Sequence, residues 1–163
     1  MNNRKPENGY KAFAYKQKRG ALKPLMSDDE KEKASIKELS YDFACRIVRL
    51  FQYLTDPPTQ NDTYNIHNGS EYVISKQVYR SGTSIGANVS EAQNAQSKAD
   101  FLTKMTIASK EANETDYWLN LLHDNGYLND QQFTSLNTDM KRILHKIIAI
   151  VKTTKENIVK QKS

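Results

Sequence analysis

The chain has 163 residues, of which 37% are hydrophobic and 26% are charged, and it contains only 6 glycines and 4 prolines. This length supports one domain with a buried core, and the scarcity of Gly and Pro favours long helices over a many-stranded sandwich or barrel. The single cysteine, Cys45, excludes a disulfide framework, and the longest aliphatic run is far shorter than the roughly 20 residues that cross a membrane. With no charged-then-apolar leader at its start, the chain is predicted to be cytoplasmic and without a membrane span.

The net charge of +5 is concentrated at the two ends of the chain. Residues 1–25 carry seven basic side chains and one acidic side chain, so they contribute +6, while residues 130–163 contribute +4. The segments between them are acidic, and a pI of about 9.2 therefore describes the termini and not the body. The basic residues of the first segment are Arg4, Lys5, Lys11, Lys16, Lys18, Arg19 and Lys23.

Residues 1–26 are predicted to form a flexible basic arm ahead of a helical domain over residues 27–163. The arm shows neither helical nor strand periodicity, and its basic residues alternate with Tyr10, Phe13 and Tyr15. Aromatic rings among basic side chains can stack on unpaired nucleic-acid bases.

The first long helix is predicted to begin at a capping box and to end before the Pro57-Pro58 pair. Both Ser27–Glu30 and Ser35–Glu38 have the spacing of a capping box, so either is a candidate start. The predicted buried row of this helix is Ile36, Leu39, Phe43, Ile47, Leu50 and Leu54.

Three further long helices follow the first. The third helix of the chain is predicted to have Ser97 as its N-cap and to end at Asn125-Gly126, and the fourth is predicted to start at Asn129. The apolar residues of these three helices recur at alternating steps of three and four, which favours the shallow crossing angles of an antiparallel bundle. The predicted rows are Ile74, Val78, Ser81, Ile85, Asn88 and Ala92; Phe101, Met105, Ala108, Ala112, Thr115, Leu119 and Leu122; and Phe133, Leu136, Met140, Ile143, Ile147, Ile150 and Thr154.

Cofactor and metal chemistry have little support in the sequence. Gly82 and Gly86 resemble part of a phosphate loop, but no strand precedes them and no Gly-Lys-Ser/Thr follows, so we interpret them as sites of close helix approach. A di-iron bundle needs an acidic residue three positions before a histidine, and none of the three histidines has one. The sequence therefore predicts no catalytic residue, no metal and no cofactor.

A polar network is predicted between the second and third long helices. Arg80 lies on the former, and Glu111 and Glu114 lie one turn apart on the latter. Paired carboxylates also serve in acid–base catalysis. We favour a hydrogen-bonded network, with Asn88 as its fourth member, that fixes helix register or a subunit contact.

The basic residues of the last helix are candidates for contact with a nucleic-acid backbone. Lys141, Lys152 and Lys155, together with His145, recur along its polar side, and with the arm they could follow a row of phosphates. A solvated helix face and a solubilising tail explain the same charges equally well.

Helices two and three also carry a recognisable pattern. The stretch from Gln77 to Ala92, the pair Asp100-Phe101 and the stretch from Lys110 to Leu122 closely resemble the bacterial four-helix-bundle proteins named 23S-rRNA intervening-sequence proteins, or S23 proteins. The resemblance covers roughly residues 35–155, and the arm has no counterpart in it.

The resemblance implies an all-α, up-down-up-down four-helix bundle that assembles as a homopentameric ring and has no known catalytic activity. A similar pentameric bundle is the accessory protein of diversity-generating retroelements, where it binds nucleic acid and a reverse transcriptase. Our leading hypothesis is therefore a non-enzymatic, oligomeric protein that associates with RNA or single-stranded DNA. The alternative is a protein-interaction adaptor or scaffold, for example an accessory subunit of a reverse transcriptase.

Overall fold

The computed structural model describes residues 22, 24–55 and 71–161, and within these ranges it contains five helices and no strand. The helices are α1 (Asp28–Lys33), α2 (Ile36–Thr55), α3 (Val73–Ala92), α4 (Lys98–Asp124) and α5 (Asp130–Lys160). The all-helical prediction is confirmed, and a short α1 precedes the four long helices. In the part of the chain that the structure describes, none of the helices has the length and apolar character needed to span a membrane.

Both candidate capping boxes form, and they begin two different helices. At the start of α1, Ser27 donates its backbone N–H to Glu30 at 2.7 Å, and at the start of α2 Ser35 donates likewise to Glu38 at 2.8 Å. The hydrogen bonds from Ser27 and Ser35 lower the pKa of Glu30 and of Glu38 respectively. Both predicted starts are therefore used, with Ser27 before α1 and Ser35 before α2.

The predicted starts and turn of the last two helices are confirmed. Ser97 caps α4 by accepting the backbone N–H of Asp100, and Asn129 forms a capping box with Gln132 at the start of α5. Gly126 has a φ of 77°, a left-handed conformation that favours glycine, and it lies in the turn between these two helices.

The core is built from one face of each long helix. The complete predicted row of α2 is buried, and so is the row of α4 from Met105 to Leu122. The prediction for α3 holds at Val78, Ser81, Ile85 and Ala92, which are buried. Ile74 and Asn88 are only half-buried, and Val89 is buried although the predicted row omits it.

Two glycines allow α2 and α3 to approach closely, as their small size predicted. A Cβ atom on Gly82 would lie 2.7 Å from Cγ1 of Ile47, and a Cβ atom on Gly86 would lie 3.1 Å from the carbonyl oxygen of Ser40. Ile47 is fully buried and branched at Cβ, so it has little room to shift.

The four long helices surround the core in chain order. Each is packed against the next one along the chain, and α5 also contacts α2. Between α3 and α4, Glu91 pairs with Lys104 at 2.5 Å and Ser81 accepts a hydrogen bond from Thr115 at 3.0 Å. Residues late in one helix therefore contact residues early in the next.

Candidate nucleic-acid interface

The three predicted binding lysines of α5 lie exposed along one line of the helix. Lys141, Lys152 and Lys155 are separated by steps that keep them on the side away from the buried row of α5, and His145 and Ile148 are exposed between them. At 1.5 Å per residue, the line from Lys141 to Lys155 is about 21 Å long. We refer to these five residues as the α5 outer row.

Lys146, close to the outer row in sequence, has a different role. Its ammonium group donates a hydrogen bond to the carbonyl oxygen of Ala34, at the junction of α1 and α2. This lysine therefore closes the end of a helix and is not available in the same way as the outer row.

The predicted arm is only partly described. Its seven basic residues, Arg4, Lys5, Lys11, Lys16, Lys18, Arg19 and Lys23, all lie outside the described residues. Leu22 and Met26, which are described, pack against the core as partly buried side chains. These two positions thus belong with the helical body, although the predicted boundary after residue 26 assigns them to the arm.

Three of the four residues of the predicted polar network meet between α3 and α4. The Arg80 guanidinium donates a hydrogen bond to Glu114, and its Nη1 lies 3.9 Å from Oε2 of Glu111. Trp118 donates from Nε1 to the same Glu114 oxygen at 3.2 Å. Asn88 lies outside this group, since its side-chain amide donates to the Ser84 carbonyl of its own helix at 2.9 Å.

The electrostatics of this group are those of an ion pair that joins two helices. The hydrogen bonds from Arg80 and then Trp118 lower the pKa of Glu114, and the hydrogen bond to Glu114 raises the pKa of Arg80. Oε2 of Glu111 is buried and has no hydrogen-bond partner among the described residues. The pair thus joins α3 to α4, and one carboxylate oxygen of Glu111 lies beside it.

A second charged cluster, which sequence reasoning missed, lies in the seam between α2 and α5. Arg46 is fully buried and donates from Nη1 to Asp139 and to the Ser135 carbonyl, the latter at 3.0 Å. Lys31 of α1 is 3% exposed and donates from Nζ to the same Asp139 carboxylate at 2.6 Å. Burial lowers the pKa of Arg46, and the charge of Asp139 opposes that shift.

A signal for this cluster is present in the sequence. Asp42 and Arg46 stand four residues apart, and each directly precedes a core residue, Phe43 or Ile47. Asp139 precedes core residue Met140 in the same way. A charged residue directly before a core residue lies at the border of the apolar row of its helix. Two such residues on different helices can therefore meet when the helices pack.

The structure does not assemble a metal site from the residues it describes. No group of three or more His, Cys, Asp and Glu side chains in these ranges is placed to hold an ion. His123 instead stacks on Phe133, with ring centroids 4.3 Å apart, and its Nε2 lies 2.9 Å from a carboxylate oxygen of Asp130.

Comparison with known proteins identifies the family. The family model described as "23S rRNA-intervening sequence protein" matches residues 32–149. The chain belongs to this family. Helices α2, α3 and α4 and most of α5 lie within the match, whereas most of α1 precedes it.

One solved structure supports the assignment. It is a crystal structure of a protein with unknown function from the S23 ribosomal protein family of Bacteroides thetaiotaomicron, 46% identical to this chain with a TM-score of 0.63. The alignment covers 72% of this chain and 99% of that chain. Among curated proteins, none matches the chain.

Replacement of Glu114 by glutamine tests the ion pair through its pH dependence. The pKa of Glu114 lies below its usual 4.5 in the folded protein, so the pair contributes fully above that pH and is lost as the pH falls through the folded pKa. In thermal melts we expect Glu114→Gln to be less stable than wild type by up to about 3 °C at about pH 7. The difference should shrink as the pH falls below the usual range of a glutamate and vanish once Glu114 is protonated in the folded protein.

The matched control is Glu156→Gln, which changes an exposed carboxylate on α5. It should show no comparable loss at neutral pH. A loss of thermal stability in Glu114→Gln that stays the same at acidic pH would contradict the ion pair.

Proposed function

We propose that this protein is a non-enzymatic, oligomeric nucleic-acid-binding protein that contacts the phosphates of RNA or single-stranded DNA. The observation that carries the proposal is the α5 outer row, a straight line of exposed lysines on a rigid helix. Lysine is a flexible point charge that suits phosphate contacts and carries little base specificity. Binding of this kind releases counterions, so it weakens steeply as salt is added.

The charge distribution supports the same function. Residues 1–25 add +6 and residues 130–163 add +4, whereas the rest of the chain is acidic. A polyanion is therefore attracted to the two ends of the sequence and repelled by the middle. We also propose a cytoplasmic location, which the single cysteine supports.

We propose that the four long helices form an up-down-up-down antiparallel bundle. The order of the contacts supports this topology, because Tyr72 at the start of α3 donates to the carbonyl of Thr55 at the end of α2. The same order holds for Asn137 of α5, which donates to Asp116 of α4. Short connections between α3, α4 and α5 also favour antiparallel neighbours.

We propose that the bundle assembles as a homopentameric ring, as its resemblance to S23 proteins implies. Exposed large side chains on other helices, including Tyr41 of α2 and Tyr117 of α4, support an assembly that covers them. Multi-angle light scattering should give a mass about five times the 18.7 kDa of one chain. The mass of a single chain over the micromolar range would contradict the ring.

A groove between α2 and α3 favours a second candidate, a protein-interaction adaptor such as an accessory subunit of a reverse transcriptase. The groove has a volume of about 610 Å³ and is bordered by Tyr41 and by small side chains. Its small residues, Ala44, Gly86, Ala87 and Ser90, leave room for side chains of a partner. A partner that stays bound after nuclease treatment would favour this candidate.

The nucleic-acid proposal is tested by neutralising the outer row. In the triple variant Lys141→Gln, Lys152→Gln, Lys155→Gln, we expect weaker binding to a single-stranded RNA in fluorescence anisotropy. Each lost phosphate contact reduces the magnitude of the slope of log Kobs against log salt by about 0.7. The triple variant should therefore have a slope smaller in magnitude by about 2 for each chain that contacts the RNA.

The matched control carries the same change of charge at three exposed lysines on other helices: Lys37, Lys76 and Lys110. It should retain most of the affinity and the salt slope of the wild type. Equal losses in the two triple variants, or no binding by the wild type at low salt, would contradict the proposed interface.

A further inference from the structure

The seam between α2 and α5 contains side chains that bind a peptide main chain. Arg46 donates from Nε at 3.1 Å and from Nη2 at 2.5 Å to the carbonyl oxygen of Leu22. Asp42, one turn earlier on the same face of α2, accepts the backbone N–H of Leu25 at 2.8 Å. The Arg46 guanidinium and the Asp42 carboxylate lie one helical turn apart on α2. They thus bind the Leu22 carbonyl and the Leu25 N–H, which are three residues apart in the segment.

The opposite side of the seam holds a cationic side chain of the same segment. Asp139 of α5 accepts two hydrogen bonds from the Lys31 ammonium, at 2.6 and 2.7 Å. Ser135 completes this side, because its hydroxyl oxygen accepts from Nη2 of Arg46 at 2.8 Å. The seam therefore contains side chains that bind the main chain of the segment and one carboxylate that binds its lysine.

These charges need an occupant. Arg46 is 0% exposed, Asp42 4% and Asp139 6%, so all three are removed from water where the segment covers them. A buried charge without a full set of partners is costly. Without the segment, the Asp42 carboxylate would lose the N–H of Leu25 and the guanidinium would lose the carbonyl of Leu22.

The segment that fills the seam is attached mainly by these polar contacts. Leu22 and Met26 add partly buried apolar contacts, but Leu25 is 54% exposed and α1 has only six residues. Residues 22–31 precede the part of the chain that matches the family model, whereas Asp42, Arg46 and Asp139 lie within it. Most of the segment thus precedes the matched region, and it docks on residues within that region.

We propose that the α2–α5 seam is a peptide-binding groove and that a segment comprising Leu22 and residues 24–33 occupies it as a releasable latch. The ligand class is a peptide segment that presents a free carbonyl, an N–H three residues later and a lysine further along. The main-chain contacts are independent of sequence, and the selectivity comes from the lysine that reaches Asp139. The occupant here is the chain's own segment, and release of the segment opens the groove to a second peptide of the same chemistry.

The first test removes the lysine of the latch in the full-length protein. Lys31→Met leaves Arg46 and Asp139 as a one-to-one pair, so the four long helices should persist. In hydrogen exchange, we expect amides of residues 24–33 to lose about tenfold or more in protection while those of α2 to α5 keep theirs. The matched control is Lys33→Met, the same change at an exposed position of α1, which should leave the exchange unchanged.

A second variant acts on a different contact. Leu25→Pro removes the N–H that Asp42 accepts, since proline has no backbone donor. It changes an exposed side chain outside all five helices and should open the same segment.

A binding assay then probes the opened groove with a labelled synthetic peptide of residues 22–34. The tethered segment competes at an effective concentration of order mM, so the peptide should bind Lys31→Met at least about tenfold tighter than wild type. The same peptide carrying Lys31→Met should bind more weakly, because it lacks the group that reaches Asp139.

Three outcomes would overturn the latch. The first is exchange in Lys31→Met and Leu25→Pro that matches the Lys33→Met control. The second is loss of protection through all helices at once, which would make the segment part of the cooperative core. The third is peptide binding that does not distinguish the variants.

Discussion

The ion pairs of the Asp139 carboxylate are the interaction that joins α1 and α2 to α5. This carboxylate compensates two buried cations, Lys31 of α1 and Arg46 of α2, from a position on α5. Two cations in one apolar seam would repel each other and would be poorly solvated, so neither could remain there without a shared anion. One side chain of α5 thus joins α1 and α2, two consecutive helices, to a helix far from them in sequence.

This arrangement also determines where the N-terminal part of the chain meets the bundle. Arg46 can donate to the Leu22 carbonyl only because Asp139 and Ser135 hold its guanidinium in the seam. Leu22, the first described residue, is therefore held beside α2 and α5. The α5 outer row begins with Lys141, two residues beyond Asp139.

Much of the fold could be predicted from the sequence because apolar rows determine how helices face a core. All six predicted residues of α2 are buried, and both capping boxes and the left-handed Gly126 are used. In α3, Val89 is buried and Asn88 is half-buried, although the heptad spacing placed Asn88 on the core face. Local spacing thus predicts the buried face of a helix well and can miss the neighbouring positions that border it.

The candidate sites were less predictable, because they depend on which charges are brought together in space. The pairing of Arg80 with Glu114 could be predicted from adjacent helices and opposite charge, whereas Asn88 found a partner within its own helix. Arg46 and Asp139 were missed because charged residues are usually assigned to the surface. Their contact needs the packing of α2 on α5 and a segment with no regular pattern, and neither is encoded in local spacing.

The most direct test of the role of Asp139 is the free energy of unfolding of Asp139→Asn, measured by urea titration and compared with Asp29→Asn. The asparagine amide carries no charge and would leave Lys31 and Arg46 buried without the carboxylate to which both donate, so we expect a loss of about 3 to 5 kcal/mol. Asp29 is exposed in the first turn of α1, and its replacement should cost at most about 1 kcal/mol. Equal and small losses in the two variants would contradict the central role of Asp139.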